Sequence, residues 1–207
     1  MQPTRTLTAH CTLSHPADGQ PLLTIDNEHA KAEISLFGAH VLRYQRHGEP
    51  ASLWLSDKAV LDGSKPIRGG IPLCWPWFGP APARVGSGKP AHGFARTSLW
   101  TLDGVSDHGD GTLVHLSLRD TAASRALWPH AFELELDVLV GKELSLVLTT
   151  RNTGKTPLTY NAALHTYLQI SAPEAVSVTG LGEPYADKLT GQDGQQQGAL
   201  TLIAAID

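Results

Sequence analysis

Residues 132–152 read FELELDVLVGKELSLVLTTRN, and this stretch restricts the fold more than any other. Phe132, Leu134, Leu136, Val138 and Val140 alternate with Glu133, Glu135 and Asp137. A period of two puts the apolar side chains on one face of a strand and the carboxylates on the other, wet face. After Gly141-Lys142 the pattern resumes through Leu144, Leu146 and Leu148, so the two runs predict a β-hairpin. Runs of similar character are LLTIDN (22–27), AEISLFGAHVLRYQ (32–45), TLVHLSLRD (112–120), LTYNAALHTYLQI (158–170), AVSVTGL (175–181) and ALTLIAAI (199–206). Gly38, inside the second of these, predicts a bulge. Only TAASRALW (121–128) reads as a helix. The chain is therefore expected to be all-β, a single antiparallel β-sandwich domain over residues 1–207.

Composition supports this. With 207 residues, 41% hydrophobic and 17% charged, the chain is long enough for one domain with a sizeable core. Its 20 glycines and 14 prolines are dispersed, which suits many turns between short elements. A net charge of −4 without a Lys/Arg run argues against nucleic acid and anionic membrane surfaces as partners. The N-terminal residues form no apolar targeting segment, and no later run approaches the ~20 apolar residues of a membrane span. A soluble, cytoplasmic, monomeric protein is expected. Cys11 and Cys74 fit neither a disulfide framework nor a zinc site and are read as free thiols.

Two long connections, 57–70 and 79–93, lack strand periodicity, and loops of this length in a compact domain are usually functional or disordered. Trp75, Trp77, Phe78 and Phe94 bracket the second and can anchor it. On the 158–170 strand, Asn161, Ala163, His165, Tyr167 and Gln169 share one face. That polar wall suits a ligand cleft, where a histidine can exchange a proton near neutral pH, but a solvated face with an incidental histidine is equally open. His92 and Arg96 flank Gly93, Phe94 and Ala95 in PAHGFAR, and Arg68 precedes two glycines in PIRGG. A guanidinium offers a fork of donors that matches phosphate or carboxylate, so Arg68 and Arg96 together could form a local anion site; singly, each could equally pair with a surface carboxylate. Trp75 and Trp77 have two readings as well, the wall of a sugar site or ordinary core. Dinucleotide, Walker, H-E-x-x-H and G-x-S-x-G motifs are absent from the sequence, as is any H-x-H pair. What remains is proton transfer on a small, polar, anionic ligand, with neither metal nor cofactor expected.

RGGIPLCWPWFGP, then HGFAR, then NAALHTYLQI after the hairpin resemble the glucose-6-phosphate 1-epimerases of the aldose 1-epimerase (mutarotase) superfamily. GAHVLRY near the start and GLGEPYADKLTG near the end are similar to that family too, so the resemblance covers nearly the whole chain in order. It implies a galactose mutarotase-like supersandwich that interconverts the α and β anomers of a hexose 6-phosphate without metal or cofactor. By the same resemblance His165 is the catalytic histidine, Arg68 and Arg96 are substrate-binding arginines, and His92 is a sugar-binding histidine. Asp207 matches a substrate-binding aspartate if ALTLIAAID leads into a D-R-I/V-Y segment, and Trp77 is a further candidate to line the sugar. Relatives often carry a substrate-contacting glutamine where this chain has Ala91.

Ring opening needs an acid on the ring oxygen and a base on the C1 hydroxyl. The family's base is a glutamate well past the aspartate, and no glutamate of this sequence sits in a matching context. The sequence is therefore expected to be a fragment, incomplete at its C-terminal side and lacking most or all epimerase activity in this form. The competing expectations are a non-catalytic carbohydrate or sugar-phosphate binding protein on the same fold, and a mutarotase of free sugars.

Overall fold

The computed structural model describes residues 4–179, 185–186, 191–194 and 200–201. They fall into two compact units, one ending at Leu168 and the other starting at Gln169. In the first unit, β1 (Arg5–Thr6), β2 (Cys11–Ser14), β3 (Leu22–Asp26), β4 (Ala30–Ser35) and β5 (His40–Arg46) form an antiparallel sheet in sequence order. β6 (Leu73–Cys74) stands apart from it. A second sheet holds β7 (Thr101–His108), β8 (Gly111–Arg119), β9 (Phe132–Gly141) and β10 (Leu144–Asn152) in the order β10-β9-β8-β7.

The predicted hairpin is β9–β10, with Leu144 opposite Val140 and Asn152 opposite Phe132. Its alternation becomes burial: Phe132, Leu134, Leu136, Val138 and Val140 are all at most 1% exposed. They share one core with Leu23, Ile25 and Ile34 of the first sheet and with Val114 and Leu116 of β8. Two antiparallel sheets closing on one core make the sandwich the sequence predicts. Each such side chain contributes about 1.5–3 kcal/mol of burial free energy. The carboxylate face is used as well: Glu133 pairs with Arg119 and Arg151, and Asp137 with His115. The predicted helix is α1 (Ala122–Leu127), started by a capping box between Thr121 and Ser124.

Two readings need correction. The run 32–45 is not one strand with a bulge at Gly38; the chain turns at Gly38 and Ala39, both with positive φ, and the register shift lies between Glu33 and Ile34. The run 158–170 is strand only at β11 (Ala163–Leu164), which pairs with β6. The reason is its partner, where Pro72 and Pro76 bracket Leu73–Cys74 and have no N–H to return. Backbone bonds continue beyond the pair in one direction only: Asn161, His165 and Tyr167 donate to the carbonyls of Pro76, Pro72 and Gly70 at 3.1, 3.0 and 2.9 Å. The outward face of this segment is apolar, with Leu164 40% and Leu168 65% exposed, while Ala163, His165 and Tyr167 are half-buried.

In the second unit, β12 (Ser177–Val178) pairs with β15 (Leu200–Thr201), and β13 (Tyr185–Ala186) with β14 (Asp193–Gly194). The predicted strands 175–181 and 199–206 lie partly outside the described residues.

Candidate active site

Two short glycine-bearing loops meet the 161–167 segment in the first unit. The first is Arg68-Gly69-Gly70. Gly69 and Gly70 hold φ of +104° and +62°, and a Cβ on Gly70 would lie 2.3 Å from the Val41 carbonyl oxygen. Only glycine passes here without displacing backbone. The turn is held on its other side by Gly70 N–H donating to Trp54 O at 2.7 Å and Ser56 N–H donating to Arg68 O at 3.2 Å. Arg68 is thus presented, exposed, from a turn with little freedom.

The second loop returns at His92-Gly93. Trp75 O accepts from Phe94 N–H and Ala95 N–H at 3.0 and 3.2 Å, and a Cβ on Gly93 would lie 2.0 Å from that oxygen. His92 itself has φ +65°, sparsely populated for a residue with a Cβ. Its backbone N–H donates to Gly79 O at 2.7 Å, and its Nδ1 accepts from Gly79 N–H at 3.1 Å. Nδ1 is an acceptor, so the neutral ring carries its proton on Nε2. Asn161 secures the same turn, its Oδ1 accepting from Phe78 N–H at 2.6 Å.

These loops bring His92 and His165 together: their ring centroids are 6.1 Å apart and their planes nearly perpendicular. Phe78 lies 4.9 Å from His92 and 5.7 Å from His165, and Tyr167 stacks on His165 at 5.0 Å. Tyr167 is in turn 5.8 Å from Trp54. The cluster is two imidazoles framed by aromatic rings, with Arg68 and Arg96 on the flanking loops. Arg96 sits in a short 3-10 turn (Ala95–Thr97) and donates from Nη2 to Ala91 O at 3.1 Å, tying itself to the residue before His92. Its Nε is buried without a hydrogen-bond partner.

Trp77 departs from the expectation that it lines a sugar. It is 1% exposed, its Nε1–H donates to Pro90 O at 2.9 Å, and its ring meets Phe94 edge-on at 6.2 Å. A covered ring offers no face to a ligand; it ties the 79–93 loop to the core instead. Trp75 is likewise core, against Phe94, Trp128 and Phe132. Asp207 lies outside the described residues. Cys74, beneath the segment bearing His165, is buried; burial raises its thiol pKa against the opposing charge of Arg96, so it is no nucleophile at neutral pH. Among the described residues, no group of three or more His, Cys, Asp or Glu is placed to hold a metal ion, and no helix is long and apolar enough to cross a membrane.

The sequence reading did not single out His40, which is 1% exposed and donates from Nε2 to the Gly69 carbonyl at 2.7 Å. Burial lowers its pKa to about 4, the Gly69 bond opposes this, and the Arg96 charge adds to it. No sequence signal separated it from its apolar neighbours, because a buried histidine in a strand leaves the alternation unchanged.

The family model described as Aldose 1-epimerase matches residues 21–197. An Escherichia coli (strain K12) protein provisionally named a glucose-6-phosphate 1-epimerase is 38% identical over 172 residues, covering 83% of this chain and 56% of that protein. A Salmonella typhimurium protein with the same provisional name is 35% identical over 184 residues, covering 89% of this chain and 59% of the relative. The chain thus spans little more than half the length of these curated relatives. A solved structure from Salmonella typhimurium, provisionally described as a mutarotase, superposes with a TM-score of 0.87 at 33% identity, over 96% of this chain and 66% of that one. With motifs, fold and family model in agreement over most of its length, the chain belongs to the aldose 1-epimerase family.

Proposed function

We propose that the protein interconverts the α and β anomers of a hexose 6-phosphate by general acid-base ring opening. The observation that carries this reading is the His92–His165 pair, with ring centroids 6.1 Å apart, where the 161–167 segment meets the loops that bear Arg68 and Arg96. Two imidazoles at that spacing can address neighbouring oxygens of one sugar ring, and two guanidiniums supply the anion site that the net charge of −4 does not. The named relatives, provisionally glucose-6-phosphate 1-epimerases, support the same substrate class.

In this reading His165, as imidazolium, protonates the ring oxygen while a base removes the C1 hydroxyl proton. The ring opens, C1 rotates, and closure on the other face reverses both transfers. His92 donates from Nε2–H to a sugar hydroxyl or the ring oxygen. Arg68 and Arg96 hold the 6-phosphate and so fix which end of the sugar meets His165. The complementary base is expected to be a glutamate, as in the family, and no glutamate of this sequence occupies a matching context.

The test is anomer equilibration of glucose 6-phosphate followed by NMR, together with calorimetric binding, in a longer form that carries the complementary glutamate and in its His165→Ala variant. Loss of catalysis with affinity kept within about threefold supports an enzyme whose acid is His165. Binding without any turnover in a form that also carries the complementary glutamate overturns the catalytic reading in favour of a sugar-phosphate binding protein. Equal handling of glucose and glucose 6-phosphate overturns the assignment of the arginines.

A further inference from the structure

The stretch GAHVLRY is part of the family resemblance, yet among the described residues it contributes no ring to the cluster around His165. Its histidine is nonetheless built into the floor of the Arg68 turn. Nε2 of His40 faces the Gly69 carbonyl at 2.7 Å and therefore carries the ring proton. Nδ1 is buried with no hydrogen-bond partner. An apolar side chain of similar size would fill this space without the unpaired Nδ1, but it would leave the Gly69 carbonyl without this donor, so packing alone does not account for an imidazole here. What the ring adds is one bond, made to one carbonyl.

That carbonyl belongs to the turn from which both halves of the proposed site are hung. On one side of it stands Arg68. On the other, Gly70 O accepts from Tyr167 N–H at 2.9 Å, and Tyr167 stacks on His165. Ile71 N–H donates to Val41 O at 2.9 Å, so the turn also lies directly against the strand that carries His40. Two residues before the histidine, Gly38 packs on the other arginine loop: a Cβ there would lie 2.6 Å from Arg96 O, and Gly38 N–H donates to Ser98 O at 2.7 Å. One short stretch, 38–40, touches both arginine-bearing loops.

We infer that His40 is a positioning residue, whose Nε2–H holds the Gly69 carbonyl and thereby sets Arg68 and the His165 segment at a fixed separation for a sugar phosphate. The hold on the turn is a property of the ligand-free protein; its purpose rests on the reading of Arg68 given under Proposed function.

The experiment compares His40→Phe, which fills the space without a donor, with His40→Gln, whose amide can still donate to Gly69 O. Amide hydrogen exchange of Gly70 and Tyr167 is measured without ligand, and calorimetry gives the affinity for glucose 6-phosphate. In His40→Phe both amides are expected to exchange about tenfold faster while those of β9 keep their protection, and the glucose 6-phosphate Kd to rise about tenfold, the equilibrium worth of one hydrogen bond. In His40→Gln both quantities are expected to return to within about threefold of the wild type. Should His40→Phe not fold, His40→Asn, polar but too short to reach Gly69, is expected to show the same losses. Unchanged exchange in a folded Phe or Asn variant, or no recovery in the Gln variant, overturns the inference. Faster exchange in a protein whose wild type does not bind glucose 6-phosphate overturns the functional reading and leaves the hold on Gly69 standing.

Discussion

His40 makes the stability of this protein depend on pH in a way that can be worked out in advance. The buried ring takes up a proton only at about pH 4, whereas in the unfolded chain it does so at its ordinary value of 6.5. Because the folded-state value is the lower one, the unfolded state binds the extra proton between those limits, and stability falls as pH drops through that window. The contribution is fully present above about pH 6.5 and fully lost below about pH 4. The gap corresponds to about 3 kcal/mol in total, of which about 2 kcal/mol is lost by pH 5. Other groups also contribute to the pH dependence of the whole protein, so the informative quantity is a double difference. Urea denaturation of the wild type and of His40→Gln at about pH 7.5 and about pH 5 is expected to show the wild type losing about 2 kcal/mol more than the variant. Equal losses in the two proteins would show that His40 is protonated as easily folded as unfolded, and would refute the reasoning.

Four further outcomes are expected. Gly93→Ala drives a Cβ to 2.0 Å from Trp75 O and should destabilise by at least about 2 kcal/mol, whereas Gly88→Ala, at a similar φ but with nothing within 4 Å, should lose about 1 kcal/mol in the same urea titration. Arg68→Ala and Arg96→Ala should each raise the Kd for glucose 6-phosphate about 10- to 100-fold by calorimetry, with little change for glucose. Neutral His92 should be the Nε2–H tautomer in imidazole nitrogen NMR, since Gly79 N–H occupies Nδ1; the Nδ1–H form would contradict the placement of the 79–93 loop. Trp77→Phe removes the bond to Pro90 O from a buried ring and should lower stability by about 1–3 kcal/mol.

Much of the fold could be read from side-chain alternation, because burial follows the pleat along β9 from Phe132 to Val140, along most of β10, and in β8 from Thr112 to Leu116. Where alternation was short or diluted it failed. β1 has two residues, β2 four, and β7 carries Asp103, Gly104, Asp107 and His108 within eight positions. The 158–170 run misled for a different reason: its length as a strand depends on what its partner can donate, and that is determined by prolines some ninety residues away in sequence. The same division holds for the site. His165 stood out on the polar face of a strand-like run, and His92, Arg68 and Arg96 because their residue types carry chemistry beside glycines in loops. His40 did not, because its role lies in a single carbonyl bond that only the tertiary structure brings about.

The one-way ladder from Asn161, His165 and Tyr167 to Pro76, Pro72 and Gly70 also makes position 165 unusually open to chemical rescue. Its place is set by its own backbone N–H and a proline carbonyl, neither of which changes when the side chain is removed. A His165→Gly variant is therefore expected to keep Phe78 and Tyr167 beside the space the ring left, 5.7 and 5.0 Å from its former centre. Imidazole added to the solution would then have a slot of its own shape, and on the proposed acid role of His165, tested in a form that carries the complementary base, small amines of graded basicity would report how far the proton has moved as a sugar ring opens.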